Sequence, residues 1–93
     1  MAKTKQPEIG GWIRPAELRT RDIVETGHGR VLFEVEDCWP TTAGAEGLTH
    51  LPPQTVIYIV TGWRYDEASK TEKPVRGLHL PTSEFILRGR PDA

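Results

Sequence analysis

The chain has 93 residues, of which 37% are hydrophobic and 27% are charged, and its formal net charge is -1. This length allows one domain with a small core, and the charge balance argues against binding nucleic acid chiefly through phosphates. No segment is long and apolar enough to cross a bilayer, and no apolar run follows a basic N-terminus. We therefore expect neither a membrane span nor a secretory signal.

The N-terminal segment is polar and ends in a pair of glycines. We predict a flexible tail over residues 1–11, followed by an apolar anchor at Trp12 and its neighbour. Pro15 suits the first position of a helix, and Glu17 is favourably placed in a first turn. The sequence therefore predicts one turn of helix directly after the anchor.

Two short strands are predicted next, over residues 22–25 and 31–37. The turn between them, at 26–29, contains two glycines, which supply the positive φ that a hairpin needs. In the second strand Phe33 and Val35 share one face, while acidic residues occupy the other. This alternation indicates one buried face and one solvated face.

A long loop and a central strand are predicted in the middle of the chain. Residues 40–54 contain three prolines and two glycines without periodicity, which is typical of a functional or mobile loop. Residues 55–61 are β-branched or aromatic throughout, which predicts a strand covered on both faces. Its second face, Ile57 and Ile59, would be covered by the N-terminal anchor, the long loop or a second subunit.

The C-terminal part is predicted to contain a hairpin and one further strand. A charged hairpin loop over 66–73 leads to a fourth strand over 75–80, which Gly77 weakens. A tight turn at 81–84 precedes a fifth strand at 85–88.

This order of elements predicts a mostly β protein: a single small, strongly bent antiparallel five-stranded barrel with one or two single-turn helices. The entry Leu18–Val24, which reads L-x-x-x-D-x-V, and the closing segment Leu80–Leu87 resemble those of SH3-like barrels. Arg21 stands where such barrels usually have a glycine before the Asp. Small SH3-like barrels are common among proteins of actinobacterial phages, and the lack of Asn agrees with a gene rich in G and C.

The resemblance implies an SH3-like barrel over residues 12–89, between the tail at 1–11 and a frayed C-terminus at 90–93. It does not imply an activity. The predicted inward set contains twelve apolar side chains. They are Leu18, Ile23, Val31, Phe33, Val35, Val56, Tyr58, Val60, Leu78, Leu80, Phe85 and Leu87.

Motifs for catalysis or metal binding are missing from the sequence. The residues His28, His50, His79 and Cys38 show no spacing typical of a metal site or a nucleophile with its base. His79 lies between two leucines that are predicted to point inward, which places it on the outer face. We therefore predict no enzyme, no metal and no cofactor, and a small enzyme or metal protein is the remote alternative.

Aromatic residues favour a binding function, because each of the three tryptophans lies at the end of a predicted element. An aromatic, a cation and an aromatic follow one another at 63–65, a group able to stack on bases or contact a partner's side chain. The predicted partner-binding residues are Trp12, Trp63, Arg64, Tyr65 and His50.

Our principal prediction is a non-catalytic interaction module, such as a phage accessory protein that binds a host or phage protein. The alternative is a small nucleic-acid-binding barrel in which antiparallel pairing gathers basic residues across the hairpin. These residues are Arg64, Lys70, Lys73 and Arg76.

The exposed edges of the predicted strands would also allow two or more copies of the chain to pair as a homo-oligomer. The lone cysteine and the missing signal predict a cytoplasmic location, which is the host cytoplasm if this is a phage protein.

Overall fold

The computed structural model describes residues 8–26 and 31–91 of the chain, which form six strands and one 3₁₀ helix. In chain order these are β1 (Trp12–Ile13), the 3₁₀ helix (Pro15–Glu17), β2 (Ile23–Thr26), β3 (Leu32–Thr42), β4 (Val56–Asp66), β5 (Thr71–His79) and β6 (Phe85–Gly89). The expectation of a mostly β protein with very little helix is confirmed. The turn glycines at 27 and 29 and His28 lie outside the described residues.

The strands form one antiparallel sheet in the order β1-β6-β2-β3-β4-β5. Consecutive strands from β2 to β5 pair as a meander, and β6 returns to lie between β2 and β1. Within the described residues β1 and β5 do not pair, so the sheet is not closed. The strand count is six rather than the predicted five, because Trp12 and Ile13 pair with Ile86 and Phe85.

Strands β3, β4 and β5 extend well beyond their predicted ends. Pro40 does not end β3, since it pairs with Tyr58 and the strand continues to Thr42. At the other end, β4 and β5 pair as far as Asp66 and Thr71, so the turn between them is short. This hairpin arm, residues 63–66 and 71–74, is largely exposed on both faces, and for that reason its strands give no alternation of buried apolar and exposed polar residues.

The core is a cluster on the concave face of the sheet. Among the predicted inward residues, five are buried in it: Phe33, Val35, Val60, Phe85 and Leu87. Ile13 and Val24 complete the cluster and were missing from the prediction. They lie in strands of two and four residues, which are too short for alternation to define a buried face.

The predicted orientation of the fourth strand was wrong. Leu78 and Leu80 are exposed, at 42% and 44%, while His79 between them is half-buried and its ring contacts Phe85. Gly77, on the same face as His79, has no side chain, and a Cβ there would lie 2.7 Å from the imidazole Nε2. The inward face of β5 therefore consists of Val75, Gly77 and His79. Because only one of these three is apolar, the two leucines on the other face determine the predicted alternation, and the prediction assigns the inward face to the wrong residues.

Val31 and Val56 are also exposed rather than buried, and Leu18, Ile23 and Tyr58 are half-buried. Val31 directly precedes β3, and Val56 is the first residue of β4. Both lie at strand ends, where the sheet no longer covers the side chain. Membership of the core therefore depends on position along the strand as well as on alternation.

A β-bulge bends β3 near its middle. Val35 pairs with Gly62 and Asp37 pairs with Thr61, so Glu36 is an extra residue without a partner in β4. Gly62 faces this bulge, and a Cβ at this position would overlap the carbonyl oxygen of Glu34. The close approach of the two backbones thus requires a glycine.

The long loop covers the second face of β4. Ile57 and Ile59 are both buried at 2%, and Ile57 lines a pocket together with Leu48 of the loop. Glu46 lies 3.7 Å from the guanidinium of Arg76 on β5 and so links the loop to this face. Three covers for this face of β4 are predicted, namely the N-terminal anchor, the long loop and a second subunit. The structure shows the long loop in this position.

A buried ion pair joins the corner before β2 to the C-terminal segment. Asp22 is fully buried, and Arg90 donates from Nε and Nη2 to its two carboxylate oxygens at 2.9 and 2.8 Å. The same carboxylate accepts the backbone N–H of Arg19 at 2.8 Å. Donation of these hydrogen bonds to Asp22 raises the pKa of the Arg90 guanidinium. Arg90, the first residue of the predicted frayed end, is thus firmly attached to the domain.

The end of the predicted tail is likewise attached. Gly10 donates its N–H to the carbonyl of Leu87 at 2.6 Å, and Leu87 donates back to Gly11 at 3.0 Å. Residues 10 and 11 therefore continue the pairing of β1 along β6. Residues 1–7 of the tail and the final two residues of the chain lie outside the described residues.

Replacing Arg21 by glycine should stabilise the protein. Arg21 has a φ of 77°, in the left-handed region that glycine adopts without steric cost. We expect Arg21→Gly to raise the free energy of unfolding by about 1 kcal/mol, measured by urea titration. Ala16→Gly, at an exposed helical position, is the control and should lower it. A lower stability of Arg21→Gly would contradict the expectation.

Removing one partner of the buried ion pair should be strongly destabilising. Arg90→Met leaves the Asp22 carboxylate buried without its cation, and we expect a loss of about 3–5 kcal/mol. Arg88→Met is the matched control, because Arg88 pairs with Glu25 at 2.8 Å but its side chain is 47% exposed. That variant should lose less than about 1 kcal/mol. Equal losses in the two variants would show that burial of the pair has no special effect.

Candidate functional site

A cleft of about 500 Å³ opens where the two edges of the sheet approach each other. Trp12 of edge strand β1 lies on one side, and His79 at the end of edge strand β5 lies on the other. The turn between β5 and β6 forms a further wall. The residues lining the cleft include Trp12, His79, Thr82, Ser83, Glu84 and Phe85.

His79 is positioned by its strand and by the core. Its backbone pairs with Tyr58, and its ring meets Phe85 edge-to-face at a centroid distance of 4.8 Å. Phe85 in turn meets Phe33 edge-to-face at 6.3 Å, which connects the cleft to the centre of the core. Burial lowers the pKa of the imidazole below its ordinary value of 6.5, so His79 is neutral at neutral pH.

Trp12 is an exposed aromatic residue on a firmly held strand. Its side chain is 58% exposed, while the adjacent Ile13 is buried at 1% in the core. Pairing with Ile86 fixes the backbone of Trp12. Since the backbone is already ordered, only rotation of the side chain remains to be restricted when a ligand contacts this ring, and the position therefore suits an anchor for binding.

A smaller apolar pocket of about 280 Å³ lies beside the cleft. Ile57 of β4 is at its base, and Leu48, His50 and Leu51 of the long loop form one wall. Leu78, His79 and Leu80 form the opposite wall. His79 lines both spaces, so the cleft and the pocket are neighbouring parts of one site.

The predicted partner-binding residues separate into two groups. Trp12 and His50 line the cleft and the pocket, respectively. Trp63, Arg64 and Tyr65 lie inside β4, on the hairpin arm, and not at a strand exit. Because side chains alternate along a strand, the two aromatic rings share one face and the arginine lies on the other. These three residues therefore do not form a single stacking group.

The predicted nucleic-acid-binding residues also lie on different faces. Arg64 is directly opposite Lys73, whereas Arg76 is opposite Thr61 and therefore on the other face of the hairpin. Lys73 lies 3.9 Å from Asp66, and Arg76 is paired with Glu46. Lys70 is in the turn between the strands. The pairing does not gather the four cations into one patch.

Cys38 does not have the environment of a nucleophile. Its Sγ donates to the carbonyl oxygen of Pro15 at 3.2 Å, and burial raises the pKa of the thiol, which keeps it protonated. Within residues 8–26 and 31–91, no three His, Cys, Asp or Glu side chains lie close enough together to bind a metal ion. In the same part of the chain, no helix has the length and apolar composition needed to cross a bilayer.

Two residues of the site, His79 and Glu84, were not among the predicted site residues. The sequence predicts His79 on the outer face and Glu84 only in a turn. The signal that could have revealed His79 is Gly77, which leaves room on the same face for a large ring two residues later. Nothing in the local sequence marks Glu84, because its place in the cleft depends on how β6 returns to β2.

Comparison of the chain with protein-family models, with curated proteins and with solved structures finds no match. The interpretation of the site therefore depends on its own geometry. The observations that carry it are the exposed Trp12, the buried aromatic contact of His79 with Phe85, and the apolar pocket beside them.

The lowered pKa of His79 predicts that acid destabilises the protein through this residue. The unfolded chain takes up a proton more readily than the folded chain, because the folded pKa lies below the unfolded value of about 6.5. The free energy of unfolding is therefore highest above the unfolded pKa and falls as the pH decreases toward the folded pKa.

This effect is measured by urea unfolding of the natural protein and of His79→Gln between about pH 7.5 and pH 5. We expect a steeper decline with decreasing pH in the natural protein. The other titratable groups contribute equally to the pH dependence of both proteins. The difference between the two slopes of unfolding free energy against pH is therefore due to His79. Parallel pH dependences would contradict the expectation.

Proposed function

We propose that this protein is a non-catalytic interaction module that binds a segment of a protein partner in the cleft between Trp12 and His79. The observation that carries the proposal is the exposed tryptophan held on a core-anchored strand at the rim of this cleft. The apolar pocket beside it offers a second contact for a bulky side chain. Exposed aromatic anchors next to apolar pockets are typical of protein-binding surfaces.

The electrostatics of the cleft favour a protein over a nucleic acid. Among the described residues that line the cleft, and with His79 neutral, the only charged side chain is the carboxylate of Glu84. An acidic group repels phosphates, whereas nucleic-acid sites are lined by cations. The cations considered for that alternative lie on two faces of the hairpin, and two of them are paired with carboxylates.

We retain the SH3-like barrel as a proposal for the finer fold. It is supported by the meander from β2 to β5, by the tight turn in which Ser83 donates to the carbonyl of Leu80, and by the return of β6 beside β2. A phage accessory role in the host cytoplasm follows from the same resemblance and is proposed with it. The uncovered edge of β5 is the surface that a homo-oligomer would use.

Peptides selected on the protein should depend on Trp12. Peptides that bind the natural protein are selected from a displayed library of random sequences. The dissociation constants of the selected peptides are then measured by fluorescence anisotropy. We expect Trp12→Ala to weaken binding at least about tenfold, because the ring is an anchor of the cleft. Trp63→Ala removes a tryptophan that is 41% exposed on the hairpin arm and should leave binding unchanged.

Two results would overturn the proposal. One is that no peptide is enriched, and the other is that the selected peptides bind equally well to Trp12→Ala. Selected peptides that depend on Trp63 instead would move the site to the hairpin arm. Circular dichroism of both variants confirms that each remains folded.

A further inference from the structure

The cleft lies at a gap between the two edge strands of one sheet. Trp12 belongs to β1 and His79 to β5, the first and last strands in the sheet order. The contact between His79 and Phe85 of β6 shows that the sheet bends far enough to bring its two ends together. The ends nevertheless do not pair within the described residues, so each end strand keeps one edge without a partner strand.

The open edge of β5 is available beside this cleft. In the described part of the chain β5 pairs only with β4, so every second residue directs its N–H and C=O toward the open side. Lys73 and Pro74 protect the first half of this edge against pairing with another chain. The second half, residues 75–79, contains neither lysine nor proline and ends at the cleft.

The two faces of β5 offer different chemistry to an added strand. On the face of His79 lies the cleft with Trp12 and Glu84, and on the face of Leu78 and Leu80 lies the apolar pocket. Side chains of a strand alternate between the two faces of its sheet. Successive residues of a strand paired with β5 would therefore enter the cleft and the pocket in turn.

We propose, on the basis of the proposed function, that the bound partner segment is an extended strand that pairs with residues 75–79 of β5. Its cationic side chains enter the cleft at Trp12 and Glu84, and its large apolar side chains enter the pocket at Leu78 and Leu80. The recognition sequence is then an alternation of Lys or Arg with Leu, Ile or Val. Strand addition to a free sheet edge combines backbone pairing with such alternating side-chain pockets.

The preference for a cation follows from the charges in the cleft. Glu84 makes no ion pair with any described residue, so its carboxylate is free to pair with a ligand. The exposed face of Trp12 also attracts a cation through the quadrupole of the ring. His79 adds no positive charge at neutral pH that would oppose such a ligand.

The first test compares two fluorescently labelled peptides of identical composition, TKVKLKVT and TKKKVLVT. Only the first alternates cationic and apolar residues. We expect it to bind at least about tenfold more tightly in fluorescence anisotropy, because its side chains alone match the two faces of β5. Equal affinities would overturn the proposal, since general electrostatic attraction is the same for both peptides.

The second test asks whether the backbone of the peptide pairs with β5. N-methylation of the central leucine of TKVKLKVT or of the lysine before it blocks opposite edges of the added strand. We expect one modified peptide to lose binding by about tenfold or more and the other to retain it. Amide hydrogen exchange at residues 75–79 should also slow on binding. Equal effects of both modifications, or unchanged exchange, would contradict strand addition.

The third test reverses a charge. Glu84→Lys should weaken binding of TKVKLKVT several-fold and strengthen binding of the acidic peptide TEVELEVT. Glu67→Lys is the matched control, because Glu67 is exposed in the turn between β4 and β5, and it should change neither affinity. Equal responses of the two variants would show that Glu84 does not select the ligand.

The failure of this inference is distinguishable from the failure of the proposed function. The selected peptides could depend on Trp12, show no alternation of cationic and apolar residues, and leave amide hydrogen exchange in β5 unchanged. In that case the proposed interaction module is supported and strand addition is wrong. If selected peptides are independent of Trp12, the proposed site itself is wrong.

Discussion

The pairing of Asp22 with Arg90 determines how the ends of the sheet are arranged. A carboxylate with no exposed surface needs hydrogen bonds, and this one accepts two from the guanidinium and one from the backbone of Arg19. The backbone of Asp22 also accepts the N–H of Val35 on β3 at 2.8 Å. One residue thereby ties the start of β2 both to β3 and to the chain beyond β6.

The position of β6 follows from this attachment, and the cleft follows from β6. With its end secured beside β2, β6 directs Phe85 and Leu87 into the core and presents an edge on which β1 pairs. The pairing of β1 brings Trp12 to the rim, and Phe85 receives the ring of His79 from the opposite end of the sheet. The binding surface is thus a product of the bend of the sheet and belongs to no single strand.

The sequence predicts the fold correctly where a strand has one solvent-exposed face and one buried face. Phe33 and Val35 of β3 stand out because the acidic Glu34 lies between them. The same reasoning fails in β5, since a glycine and an imidazole follow Val75 on its inward face. In the candidate site, Trp12 and His50 are predicted from the sequence and line the cleft and the pocket, whereas Glu84 enters the cleft only through tertiary structure. Contacts between distant strands leave no periodic trace in the chain.

Gly62 has a consequence for how this architecture can vary during evolution. The glycine lies against the bulge at Glu36, where any side chain would meet the Glu34 carbonyl and the ring of Phe33. Even the smallest replacement would force the two backbones apart at the bulge. Homologous chains are thus expected to preserve a glycine opposite the bulge under purifying selection, while the surrounding surface is free to diverge toward other partners.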